Sequence, residues 1–208
     1  MRMRMEKFLY TLSTPYDSVH RCAIAFSKNY AVTFQHEEHS LIQPEEQIII
    51  YNIHNPATKY EVIVKVVSHK SQDFIILQND VGFPEYPHHV VSMFTGQRYL
   101  QLGIDQLRQP KWKDGIVSQY CFGFYVGTSH GEIGDSGSGI FDTSGNFMGI
   151  SVAKKNFTFS NPFDCKIDCS EIADHHPYTK IISGDVVYSA LNIGSAGFSP
   201  FKQYKPDC

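Results

Sequence analysis

The stretch of sequence that decides the fold is GEIGDSGSGIFDTSGNFMGIS, residues 131–151. Glycines surround Ser136 and Ser138 in its first half, and an apolar pair follows at 140–141. Because glycine adopts backbone conformations that are closed to residues with a Cβ, a tight turn here can point successive N–H groups into one concavity that stabilises an oxyanion. We therefore interpret Ser136 as a nucleophile on a turn before a buried strand, with the N–H groups of Gly134 and Ser136 as oxyanion donors.

Short runs of β-branched and aromatic residues make up most of the remaining chain, and turn-forming Gly, Pro, Asn and Asp separate them. Helical periodicity is scarce. Such runs at regular spacing predict an all-β sandwich or barrel. The predicted strands form two groups, residues 7–12, 22–27, 31–35, 47–53, 60–67 and 74–77, and then residues 90–94, 98–102, 117–126, 138–141, 147–153 and 180–188.

The run GDSGSG, followed by IFD and then by GNFMGIS, resembles the nucleophile loop of the chymotrypsin and trypsin-like serine peptidases. Ser136 matches the serine of that motif, and Gly134 and Asp135 match the pair that precedes it. The resemblance implies an all-β fold of two six-stranded antiparallel barrels, with the active site in the cleft between them. It also implies a histidine, an aspartate and a serine that act together, in that chain order.

The family's general base ends a strand of the first barrel, and His36 has this position after the run YAVTFQ. The two residues before it depart from the alanines of the family pattern, and His39 is the alternative base. The family's aspartate precedes an apolar strand, as Asp73 does before FIIL, while Asp80 is the weaker alternative. The resemblance thus predicts that His36 removes the proton of Ser136 while Asp73 fixes the tautomer of His36.

The Pro-rich segment NDVGFPEYPHH, residues 79–89, lies between the two groups of strands and indicates a linker. We predict a single peptidase domain in four segments. They are an N-terminal barrel at residues 1–80, a linker at 81–90, a C-terminal barrel at 91–193 and an extension at 194–208.

In trypsin-like zymogens, cleavage frees an apolar N-terminus that inserts beside the aspartate preceding the serine. The sequence contains no IVGG-like string, so that device is not offered to Asp135. The resemblance is closest to the intracellular HtrA-like branch of the family, whose members need no such cleavage.

The resemblance implies substrate contacts at four positions of this sequence. The base of the family's specificity pocket lies six residues before the serine, at His130. No aspartate stands there, so a preference for Lys or Arg is not indicated; His130 leaves open an acidic or polar preference, or an inert buried histidine. Ser151, Val152 and Ala153 match the edge strand with which the substrate backbone pairs.

A long insertion at residues 154–176 is expected beside the cleft. Its Cys165 and Cys169, with His175 and His176, are loosely spaced for zinc, and ordinary loop residues are the favoured interpretation. We therefore predict no metal and no cofactor.

The composition excludes several classes of protein. Hydrophobic residues make up 42% and charged residues 19%, which indicates a folded chain. A net charge of -3 without a basic block gives no sign of nucleic-acid binding. No stretch approaches the ~20 apolar residues of a membrane span, and Glu6 and Lys7 interrupt any secretory signal. We expect an intracellular protein, cytoplasmic or nuclear, without a membrane partner.

These observations predict a serine endopeptidase that hydrolyses protein or peptide substrates through an acyl-enzyme intermediate. The alternative is a protease-fold module with little or no turnover, which binds a protein partner through its edge strand and the aromatic loop at 157–163. The presence of all three catalytic residue types favours the enzyme. A structural β-protein with a coincidental glycine loop is the third interpretation.

Overall fold

The computed structural model describes residues 1–121, 123–132, 134–152 and 178–192. The predicted insertion at 154–176, with its candidate zinc ligands Cys165, Cys169, His175 and His176, lies outside the described residues. So does the predicted extension at 194–208.

The first barrel closes from six antiparallel strands in the order β1-β2-β3-β6-β5-β4. A short helix α1 (Arg2–Met5) and a 3-10 turn (Glu6–Phe8) precede it. A second 3-10 turn, Glu37–Leu41, follows β3. The strands are β1 (Leu9–Thr11), β2 (Cys22–Ala25), β3 (Tyr30–Phe34), β4 (Gln47–Asn52), β5 (Lys59–Val67) and β6 (Phe74–Gln78).

The second barrel closes in the order β10-β11-β12-β9-β8-β7, and helix α2 (Gly184–Asn192) follows its last strand. Two closed six-stranded antiparallel barrels confirm the predicted fold class. The strands are β7 (Arg98–Ile104), β8 (Pro110–Cys121), β9 (Phe124–Gly127), β10 (Gly139–Phe141), β11 (Phe147–Ser151) and β12 (Thr179–Ser183).

Three of the predicted strands of the second barrel were wrong in part. Residues 90–94 form a loop with a single bridge, Val90 to Phe147, because the barrel is already closed by its six strands. The run 117–126 is the end of β8 and most of β9, since the chain reverses near Gly123. The run 180–188 leaves the sheet after Ser183 and continues as α2.

The strands of the first barrel that face the second barrel are buried on both sides. Along β2, Ala23 and Ala25 point into the first barrel, whereas Cys22 and Ile24 join a core shared by the two barrels. This alternation is the period-two pattern of a strand, here with apolar residues on both faces. Small alanines inside and larger side chains outside therefore let β2 serve two cores at once.

The shared core joins the two barrels through aromatic contacts. Phe8 packs against Phe141 with ring centroids 6.0 Å apart, and Phe26 stacks on Phe147 at 5.5 Å. Aromatic pairs at such distances contribute about 0.5–1.5 kcal/mol each beyond the area that they bury. The relative position of the two barrels is therefore set by packing, and any site between them inherits that position.

No helix in the described part of the chain is long and apolar enough to cross a membrane. Within the same residues, no group of three or more His, Cys, Asp or Glu side chains is placed to hold a metal ion. Neither finding extends to the segments at 153–177 and 193–208.

Candidate active site

The first barrel brings His36 and Asp73 together through the register of two strands. β3 and β6 are antiparallel neighbours, and Phe34 at the end of β3 lies opposite Phe74 at the start of β6. His36 lies two residues beyond Phe34, and Asp73 lies one residue before Phe74. The His36 Nδ1 and Asp73 Oδ2 atoms are 2.9 Å apart. Since a carboxylate only accepts, His36 Nδ1–H is the donor.

Asp73 is held in a tight turn. Its side chain is only 3% exposed, and its φ of 65° lies in the left-handed region, which aspartate tolerates better than most residues. Its N–H donates to His69 O at 3.2 Å. From the second barrel, Lys180 Nζ donates to Ser71 O at 3.4 Å. Both barrels therefore fix the loop that carries this carboxylate.

The nucleophile loop of the second barrel reaches the other side of the imidazole. Ser136 Oγ lies 2.9 Å from His36 Nε2. Because Nδ1 carries the proton that it donates to Asp73, Nε2 is left with a lone pair, and the Ser136 hydroxyl is the donor to it. The three predicted side chains thus form one hydrogen-bonded chain across the two barrels.

Gly137 allows this loop to pack closely against the first barrel. Its φ is +82°, and a Cβ at this position would lie 2.3 Å from Cys22 O in β2. Its N–H donates to Ser151 O at 2.8 Å. Only a residue without a Cβ fits so close to another backbone, which explains the glycine directly after Ser136.

The segment before Ser136 curls around the side chain of Asp135. Asp135 N–H donates to Glu132 O at 3.1 Å, and Glu132 N–H donates in return to Asp135 Oδ2 at 2.7 Å. Gly134, with φ +92°, lies within this turn, and its carbonyl accepts a weak bond from Cys22 Sγ at 3.8 Å. The predicted oxyanion donors Gly134 and Ser136 are therefore the two chain neighbours of a buried carboxylate.

Asp135 pairs with a lysine that the sequence analysis did not single out. Lys113 Nζ forms an ion pair with Asp135 Oδ2. Burial raises the pKa of Asp135, and the contact with Lys113 opposes that rise. The available signal was the alternation of Lys111, Trp112 and Lys113, which has the period of a strand, but the predicted strands omitted this stretch.

The two alternative residues are directed elsewhere. His39 is buried, donates from Nδ1–H to Phe34 O at 3.0 Å and stacks on the Phe34 ring at 4.2 Å. Burial lowers the pKa of His39 to about 4. Asp80 is exposed and accepts a bond from Gln78 Nε2 at 2.7 Å. Neither of them belongs to the hydrogen-bonded chain through His36.

The predicted pocket residue His130 is exposed and follows a buried polar cluster. Ser129 Oγ lies 2.6 Å from Tyr99 Oη and 2.8 Å from Thr179 Oγ1, and it donates to Gln101 Oε1 at 2.7 Å. The cluster fixes the backbone from which His130 projects. A role of His130 in substrate selection stays a prediction.

The predicted edge strand lies beside the nucleophile loop. Ser151 N–H donates to Ser138 O at 2.8 Å, and Val152 N–H donates to Lys180 O at 2.8 Å. Ala153, the third predicted position, lies outside the described residues. Pairing of a substrate with this strand stays a prediction.

A surface cavity of about 510 Å³ opens next to the same loop. Residues from both barrels line it, including Val19 and His20 from the first and Leu107, Glu132 and Gly134 from the second. Of the two predicted oxyanion donors, Gly134 lines this cavity.

Comparisons with known proteins match the fold rather than the sequence. No protein-family model matches the chain, and no curated protein does. The MamO protease domain of Magnetospirillum magneticum has a TM-score of 0.66 at 12% identity, over 91% of this chain and 98% of that chain. An inactive form of Rv3671c from M. tuberculosis has a TM-score of 0.61 at 14% identity, and the match covers 94% of this chain and 91% of that chain.

A third similar structure is the HtrA-type protease AlgW with a tripeptide, at a TM-score of 0.64 and 19% identity. The match covers 94% of this chain and 62% of that one. At such identities the likeness is one of fold. The chain therefore has the two-barrel fold of trypsin-like and HtrA-type serine proteases, as the motif around Ser136 predicted.

Proposed function

We propose that the protein is a serine endopeptidase in which Ser136, His36 and Asp73 form the catalytic triad. The observation that carries the proposal is the unbroken chain of hydrogen bonds from Ser136 Oγ through the imidazole to Asp73, with both distances at 2.9 Å. A nucleophile in contact with a base, which is itself oriented by a third group, is the arrangement that acyl transfer requires.

The geometry supports a defined sequence of proton transfers. Ser136 Oγ attacks the substrate carbonyl carbon while its proton moves to His36 Nε2. The imidazolium formed in this step is stabilised by the buried Asp73 carboxylate. It then protonates the leaving amine, and the acyl group remains on Ser136. Attack by water, with His36 again as base, releases the acid product and restores the serine.

The negative charge on the substrate oxygen needs donors during both attacks. We assign this role to the N–H groups of Gly134 and Ser136, because they belong to the glycine-rich turn that carries Ser136, in which Gly134 has φ +92°. Loss of one such donor typically costs about 2.7–4 kcal/mol of transition-state stabilisation.

We also propose the residues that contact the substrate. The backbone of a peptide would pair with the strand end at Ser151, Val152 and Ala153. His130 would lie at the base of the specificity pocket. No specificity for Lys or Arg follows from this position, since it offers no carboxylate.

The proposal is tested with a fluorophosphonate probe, which reacts only with an activated serine. We expect the wild type to be labelled, and Ser136→Ala to lose all labelling and about 10⁶-fold in hydrolysis of a denatured protein substrate. The matched control is Ser144→Ala, which removes an exposed hydroxyl from the next turn and should leave labelling unchanged.

Well-folded wild type that remains unlabelled would favour the alternative function, a module that binds a protein partner without turnover.

A further inference from the structure

The Asp135 carboxylate is buried directly beside the nucleophile, and the chemistry proposed above does not use it. Its side chain is 3% exposed. A buried carboxylate is costly unless a partner compensates its charge. The bond from Glu132 N–H, at 2.7 Å, satisfies part of one oxygen but supplies no full positive charge.

Lys113 supplies that charge from strand β8. Its side chain is 13% exposed, and its Nζ contacts the Asp135 carboxylate. The same ammonium donates to His130 O at 2.7 Å and lies 3.5 Å from Glu132 Oε1. One cation therefore ties three residues of the loop, from His130 to Asp135, to the wall of the second barrel.

The position of Asp135 in the chain gives this ion pair its importance. Gly134 and Ser136 are covalently attached to Asp135, so a shift of its backbone that brings the buried carboxylate toward water also moves both of them. Loss of the positive charge would leave the buried carboxylate uncompensated, and the loop would relax until solvent reached it. That movement would take the N–H of Gly134 away from the reacting carbonyl.

We propose that Lys113 is a positioning residue that holds the nucleophile loop in its active form by pairing with Asp135, so that the loop needs no cleavage of the chain to order it. This inference rests on the proposed peptidase function and adds the means by which the site stays assembled. An internal lysine is present as soon as the chain folds, so the site is active without processing.

The test compares second-order rate constants of fluorophosphonate labelling. Lys113→Met keeps the length of the side chain but removes its charge, and should lower the rate constant by about 10²–10³, the effect of losing one oxyanion donor. The matched control is Lys65→Met, which breaks the Lys65–Glu45 pair on the first barrel and should label at the wild-type rate.

A readout other than activity separates positioning from general damage. The low-field proton resonance of His36 Nδ1–H reports the bond to Asp73 in the other half of the site. We expect it to persist in Lys113→Met while labelling slows. Its loss together with the loss of labelling would indicate a collapsed site and overturn the proposal.

The double variant Lys113→Met/Asp135→Asn tests the charge argument itself. Without the carboxylate there is no uncompensated charge to expel. The double variant should therefore label no more slowly than the slower of the two single variants, Lys113→Met and Asp135→Asn. Losses that multiply, or Lys113→Met at the wild-type rate, would overturn the inference while leaving the peptidase intact. An unlabelled wild type would instead refute the proposed function, and the inference with it.

Discussion

The two halves of the site are built in different ways. His36 and Asp73 lie at the adjoining ends of two paired strands, so the barrel itself places them side by side. Ser136 lies outside any strand, on a loop between residues 131 and 138. This loop is held by turns, by a close approach to β2 and by a buried ion pair. Sheet pairing fixes the first half, whereas charge and close packing fix the second.

This contrast separates chemistry from positioning. A change in the first half should remove proton transfer and leave the architecture in place. A change in the second half should loosen the loop or the contact between the barrels. The variants below test whether the two halves differ in this way, in order of decreasing effect.

The largest effect is expected from Asp73→Asn in the first half. An amide offers N–H donors to His36 Nδ1 and so favours the tautomer whose Nε2 carries a proton and cannot accept one from Ser136. We expect kcat/KM to fall by about 10⁴-fold. The matched control Asp80→Asn alters the exposed aspartate that lies apart from His36 and should retain wild-type kcat/KM. Equal losses in the two variants would contradict the assignment of Asp73.

An intermediate effect is expected where the second half meets the first. Gly137→Ala combines a left-handed backbone with a Cβ 2.3 Å from Cys22 O. We expect it to lower the free energy of unfolding by about 2–5 kcal/mol, from backbone strain and overpacking together. Denaturant titration measures the loss.

Gly96→Ala is the control for this variant. Gly96 has nearly the same φ, +87°, but nothing lies within 4 Å of its added Cβ. Gly96→Ala should lower the free energy of unfolding by backbone strain alone, about 1–2 kcal/mol. If the two variants were equally stable, the close approach of the loop to β2 would not hold the halves together.

The smallest effect is on stability in acid, and it comes from His39, which stacks on Phe34 next to the first half of the site. The folded state holds the pKa of His39 at about 4, below the ordinary value of 6.5. The unfolded chain therefore binds a proton first as pH falls, and stability is lost from about 6.5 downward. Between pH 7 and 5 this group should cost about 2 kcal/mol.

His39→Gln should remove this part of the pH dependence, because an amide can still donate to Phe34 O but does not titrate. Unfolding titrations at pH 7 and pH 5 measure the difference. His54→Gln, at an exposed histidine, should keep the wild-type dependence. An unchanged difference between the two pH values in His39→Gln would mean that another group is responsible for the loss of stability in acid.

The sequence predicted the two strands that carry the first half well, because each of them has a clear apolar run. The run AVTF before His36 and the run FIIL after Asp73 were placed within a residue of their observed limits. The glycines around Ser136 likewise carried a local signal that needs no knowledge of distant residues.

Lys113 could not be found in this way. It lies in a part of β8 rich in charged residues, where the alternation of Lys111, Trp112 and Lys113 is too short to identify a strand, and its partner is 22 residues further along the chain. The end of β12 at Ser183 was missed for a related reason, since Val186 and Val187 fit a strand as well as a helix. The position of Lys113 and the end of β12 both depend on contacts across the barrel rather than on the local preference of the sequence.

The shared core also sets an order of events during synthesis. Met5 and Phe8 belong to the same buried cluster as Ile182 and Val187, about 180 residues later. At roughly 5–20 residues per second, the early residues wait on the order of 10–40 s on the ribosome for their partners. Because β12 belongs to the closed second barrel, the shared core cannot be completed before then, and a growing chain keeps His36 and Ser136 apart until β12 has been made.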